Sequence, residues 1–88
     1  MIAMNIFMKK THEDKQLLPQ NKLQRLAFMK GYRSSYEFAK AIDAAGIASY
    51  GTGFSKWETG KFGGTKYEIL KGIAKFLGAD TVEQVFDP

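Results

Sequence analysis

Gly31–Lys61, GYRSSYEFAKAIDAAGIASYGTGFSKWETGK, is the stretch on which the reading of the fold turns. Ser34-x-x-Glu37 is a capping box, in which the serine oxygen takes a first-turn amide and the glutamate reaches back toward the cap. Phe38, Ala39, Ile42 and Ala45 follow at helical spacing and make an inner face, which Gly46 closes. The segment IASYGTG brings two further glycines, Gly51 and Gly53. Phe54 and Trp57, at i and i+3, give a second helix its expected inner face, and Gly60 ends it. The stretch therefore predicts two helices joined by a turn, with a basic loop beginning at Lys61.

Outward from this pair, the flanking segments look like packing. Asn21 can cap a helix starting at Lys22, where Leu23, Leu26, Ala27 and Lys30 fall on i, i+3, i+4, i+7 and Gly31 ends the run. After the loop Phe62-Gly63-Gly64, Thr65-x-x-Glu68 is a second capping box. Ile69, Leu70, Ile73, Ala74 and Leu77 form the apolar stripe that follows, with Lys71 and Lys75 on its solvated face. Thr81-x-x-Gln84 is a third capping box, opening a short helix with Val82, Val85 and Phe86. Phe62 and Tyr67 are expected beside the core. No segment alternates with period two for long enough to make a strand. The expectation is all-α, a compact bundle of five short helices over residues 21–88. Residues 1–20 are expected to be a flexible N-terminal arm with an apolar tip, MIAMNIF.

Eighty-eight residues make one domain, which buries roughly 60–70% of the surface of its unfolded chain. With no cysteine there is neither a disulfide framework nor a thiolate metal site, which suits a reducing cytoplasm. The apolar run Met1–Met8 is too short to span a bilayer, and Lys9 and Lys10 follow it where a secretory signal has its charge in front. The formal net charge is +4 and unevenly spread. Lys22, Arg25, Lys30, Arg33 and Lys40 face only Glu37 among acids, whereas Asp80, Glu83 and Asp87 have no base near them in sequence. A basic segment on the first helices suits a polyanionic partner.

Enzyme chemistry finds no support. Gly51-x-Gly53 lacks the third glycine of a dinucleotide fingerprint, Lys56 standing in its place. Gly60-Lys61 is followed by Phe62 where a phosphate loop needs serine or threonine. His12 is the lone histidine, with only Glu13 and Asp14 beside it. Neither catalysis, cofactor nor metal is expected.

GYRSSYEFAKAI, FSKWETGK and EILKGIAKFLGADTVEQVF together resemble the lambda-repressor-like helix-turn-helix family of phage repressor, Cro and Xre type, over about residues 21–86. The resemblance implies that Ser34 caps the second helix, that Ala39 is the small residue under the third, and that Phe54 and Trp57 are its core positions. It implies Glu58 as a polar anchor and Gly60-Lys61 as a turn toward phosphate. The chain departs from the family in two places. The interval from Ile42 to Phe54 is about five residues longer than the family pattern, as an extended second helix and a longer turn around Ser49 and Tyr50. Ala27 stands where relatives carry an arginine for the glutamate matching Glu58. With Gly51 and Gly53 each costing about 1 kcal/mol if helical, the third helix is expected to start late, near Thr52.

The implied function is sequence-specific binding of double-stranded DNA by a transcriptional regulator of phage or mobile-element repressor type, acting as a homodimer through the last helix and the arm. Tyr50, Thr52, Ser55 and Lys56 are the expected base contacts. Arg33, Ser34, Ser35, Tyr36, Lys40, Thr59 and Lys61 are the expected phosphate contacts, from cations and helix-start amides. The alternative is a protein-binding module on the same fold, an antitoxin or antirepressor with a toxin or other protein as partner.

Overall fold

The computed structural model describes residues 18–88. The arm before Leu18, with its apolar tip, His12, Glu13 and Asp14, lies outside the described residues. The described chain is all-α, with helices α1 (Lys22–Met29), α2 (Ser35–Ala44), α3 (Tyr50–Thr59) and α4 (Tyr67–Phe76). A single 3-10 turn, Val82–Gln84, follows in place of the expected fifth helix. The Gln84 side-chain oxygen accepts from the amides of Asp80 (2.7 Å) and Thr81 (3.1 Å), closing the segment into one tight turn. Val82, Val85 and Phe86 are buried by it, so this segment's apolar side chains belong to the core and are not spare for a second copy.

The caps explain most boundaries. The Asn21 side chain accepts from the Gln24 amide at 2.8 Å, and Ser34 Oγ from the Glu37 amide at 3.2 Å. Glu37 reaches back one residue further than expected, its carboxylate accepting from the Arg33 amide at 2.7 Å. Ser49 Oγ accepts from the Thr52 amide at 3.2 Å, which starts α3 at Tyr50, ahead of the expected Thr52. The Thr65 box is not made, since α4 begins one residue later behind Lys66 and has no side-chain cap.

Leu23 and Ala27 of α1, Phe38 and Ile42 of α2, Trp57 of α3, Leu70, Ile73 and Ala74 of α4, and Leu77 at its C-terminal cap form one core with Val82, Val85 and Phe86. Trp57 sits between aromatic neighbours, its ring 5.5 Å from Phe38 and 6.0 Å from Phe28 between centroids. Phe62 packs near Phe86 at 6.3 Å, but Tyr67 is exposed. The last segment is tied back to the α3–α4 loop. The Phe62 amide donates to Asp87 O at 2.9 Å, and the Asp87 amide to Gly60 O at 2.8 Å.

The most extensive interhelical contact is between α2 and α3, and a glycine lies in it. A Cβ on Gly53 would lie 2.5 Å from Ile42 Cδ1 and 3.1 Å from Ala39 Cα. The missing side chain of Gly53 makes room for Ile42 and for the Ala39 backbone, so Ala39 does lie under α3. The connection 45–49 is anchored by Ile47, whose amide donates to Ile42 O at 3.0 Å. The Ile47 methyl Cγ2 lies 3.0 Å from where Gly72 of α4 would carry a Cβ.

Gly53 and Gly51 thus give opposite expectations. Gly53→Ala pushes a methyl into the Ile42 side chain and against the Ala39 backbone, and is expected to destabilise by about 1–3 kcal/mol. Gly51 has nothing within 4 Å of its missing Cβ, and Gly51→Ala is expected to stabilise by about 0.5–1 kcal/mol. Urea midpoints of the two variants measure both. Equal midpoints would mean the α2–α3 crossing is looser than described.

Candidate functional site

Burial along α3 follows helical spacing. Gly53, Lys56, Trp57 and Gly60 turn inward, at i, i+3, i+4 and i+7. Tyr50, Gly51, Phe54, Ser55 and Glu58 turn outward and form one exposed stripe. Two expectations change places here. Phe54, expected in the core, is 39% exposed, and Lys56, expected outside, is 3% exposed. Both follow from Gly53. Once it is the close-contact residue against α2, position 56 must lie on the inner face and position 54 on the outer.

Lys56 is accommodated by backbone. Its Nζ donates to Lys61 O and Gly63 O, each at 2.8 Å, and approaches Phe62 O at 3.5 Å. The ammonium closes the 61–63 loop onto α3, and burial holds its pKa below the ordinary lysine value. Among the described residues no carboxylate pairs with it. Lys56 is therefore removed from the outward-facing set by desolvation and by its three carbonyl acceptors, and is a structural lysine.

Glu58, expected as the polar anchor, is exposed and makes no hydrogen bond among the described residues. Gln24 does this work. Its Nε2 donates to Trp57 O at 2.8 Å while its Oε1 accepts from the Gln20 amide at 2.8 Å. Asn21 adds a second donor to Trp57 O at 3.1 Å. Gly60, at φ 64°, ends α3 against Asn21, and a Cβ there would come within 2.6 Å of Asn21 Cγ.

The other expected residues gather at two places. Arg33, Tyr36 and Lys40 are exposed, and Ser34 and Ser35 half-buried, around the start of α2. Ser34 is used as the cap, which leaves the amides of Ser35 and Tyr36 unclaimed among the described residues. Lys40 Nζ lies 5.0 Å from the centre of the Tyr36 ring, and Arg33 is 5.7 Å from that of Phe28. Thr59 and Lys61 are exposed at the far end of α3, where the Lys61 amide donates to Thr59 Oγ1 at 3.3 Å. Thr52 is half-buried, its Oγ1 accepting from Ser49 Oγ at 3.0 Å. Ser55 and Tyr50 face outward as expected.

Sequence reasoning missed the continuity of the exposed rings. Tyr36 is 56% exposed and Tyr50 37%. Their centroids are 6.2 Å apart, and Tyr50 is 6.1 Å from Phe54, so three rings run from the start of α2 along α3. The signal was present in the spacing Tyr50–Phe54, one turn apart, once Phe54 is placed outside. The site thus offers apolar faces, a hydroxyl and a carboxylate along α3, with cations at both ends. No family model matches the chain, and no curated protein or solved structure matches it. Among the described residues no group of carboxylates and histidines could hold a metal, and no helix is long and apolar enough to cross a membrane.

Lys56 gives a test of its structural part. Lys56→Met keeps most of the buried stem and removes the ammonium, leaving loop carbonyls without their donor. A loss of about 1–3 kcal/mol is expected, with faster amide exchange in residues 61–64. A variant as stable as the parent, with unchanged exchange, would return Lys56 to the surface.

Proposed function

We propose that this chain is a sequence-specific double-stranded DNA-binding regulator of lambda-repressor-like helix-turn-helix type, with α2 lying across the backbone and α3 entering the major groove. The observation that carries the reading is the exposed stripe of α3 bracketed by bases. Arg33 and Lys40 stand at the α2 end, Lys61 at the other, and the unclaimed amides of Ser35 and Tyr36 point from a helix start. Phosphates on either side of a groove are the partner that such a bracket fits. Tyr50 and Ser55 keep their place as base contacts, Thr52 stands at the margin, and Lys56 leaves the set. A single domain reads few base pairs, so a homodimer on a palindromic site is part of the proposal. Repression of a phage or mobile-element promoter is the regulatory form that the family resemblance supports.

The exposed rings also favour a second reading, a protein-docking module of antitoxin or antirepressor kind, because a contiguous apolar patch is a common protein contact. Salt separates the two. With roughly three phosphates neutralised per protomer, log affinity for duplex DNA should fall with log salt at a slope of roughly −3 per protomer. Fluorescence anisotropy with labelled duplex measures it. Lys61→Ala should weaken cognate and random duplexes alike. Absence of duplex binding at low salt, or a flat slope, would leave the protein-docking reading.

A further inference from the structure

We propose that α3 recognises pyrimidine C5 methyl groups, so that thymine-rich major-groove edges are read by the aromatic line Tyr36–Tyr50–Phe54. The proposal rests on the DNA-binding reading above and says what kind of base edge that reading selects.

The argument begins with what α3 lacks. Guanine is read in the major groove by arginine or lysine, and adenine by asparagine or glutamine. The outward stripe holds none of these, and the helix's lysine, Lys56, is committed to the carbonyls of residues 61 and 63. Bidentate purine recognition from this face is therefore closed. What remains is apolar contact from the rings, a hydroxyl on Ser55 and an acceptor on Glu58. Apolar contact picks out the thymine methyl, and a carboxylate accepts from the cytosine amino group. Both are features of the pyrimidine.

The geometry fits that chemistry. Tyr50 and Phe54 are one turn apart with ring centroids 6.1 Å apart, and Tyr36 meets Tyr50 edge-on at 6.2 Å. Mutual packing restrains the rings although water reaches them, so little side-chain freedom is lost on contact. Gly51, on the same stripe, has nothing within 4 Å of its missing Cβ, which lets the groove edge come close to the helix backbone beside Tyr50. Lys40 above the Tyr36 ring keeps a positive charge at the edge of the apolar line, and a polyanion satisfies both. An apolar protein surface would leave that charge unmatched.

The test uses the full chain and a duplex chosen from a randomised pool by repeated selection. Each thymine of the selected site is then replaced by deoxyuridine, which removes the C5 methyl and leaves pairing intact. At one or more positions in each half-site the loss should be roughly threefold to tenfold per methyl. Tyr50→Ser and Phe54→Ser, both at exposed positions and checked as folded by circular dichroism, should bind the thymine and deoxyuridine duplexes equally. If the parent chain binds the selected duplex tightly but ignores the loss of every methyl, methyl reading is overturned and DNA binding stands. If no duplex is enriched and binding is indifferent to salt, both fall, and the aromatic line is a protein-docking surface.

Discussion

The approach of Gly53 to Ala39 is the constraint from which the rest of the structure follows. A helix pair can come this close only where side chains are nearly absent, and these two positions supply that. Once the crossing is set, the rotation of α3 about its own axis is set with it. Trp57 falls between Phe28 and Phe38, Lys56 falls over the 61–63 loop, and Phe54 is driven to the surface. A glycine that is poor for helix propensity is thus the residue that decides which side chains α3 presents. Its intrinsic cost of about 1 kcal/mol is small beside the burial of Trp57, whose ring alone is worth about 3 kcal/mol or more.

Besides Lys56, neutral groups hold the far end of α3. Asn21 and Gln24 give their amides to Trp57 O, and Gly60 turns the chain against Asn21. Asn21 also caps α1, so one side chain joins the start of the first helix to the end of the third. The ion pair Lys22–Asp87, at 3.4 Å with both side chains partly exposed, adds little by comparison. Hydrogen bonds of modest individual worth, about 0.5–1.5 kcal/mol, matter here because each satisfies a carbonyl or amide at a helix end.

Much of this fold was legible in the sequence. Asn21, Ser34 and the glycines at 31, 46 and 60 mark helix ends where their chemistry says they should, and the stripe Leu70–Ile73–Ala74–Leu77 is buried as its spacing implies. Local rules served where one residue type has one strong use. They failed where a residue has two. Lysine is charged at its tip and apolar along its stem, and Lys56 was read by its tip. Phenylalanine is usually core, but Phe54 is on the wrong side of Gly53 for that. Thr65 and Thr81 each open a capping-box pattern, closed by Glu68 and Gln84, yet Thr65 starts no cap and the box at Thr81 opens only one 3-10 turn. The third aromatic neighbour, Tyr36, comes from another helix, and no spacing within α3 could have announced it.

The division of α3 into two stripes also separates what holds the helix from what the helix displays. Gly53, Lys56, Trp57 and Gly60 carry the packing and the loop contacts. Tyr50, Gly51, Phe54, Ser55 and Glu58 give no side-chain hydrogen bond to the scaffold among the described residues, and the Tyr36 ring joins the stripe from α2. What seats the helix and what it presents therefore fall on different residues of the same helix. Exposed Ser55 and Glu58 can therefore be exchanged with less cost to packing than Gly53, Lys56 or Trp57, so the surface of this helix is open to redesign while its seat in the fold is not.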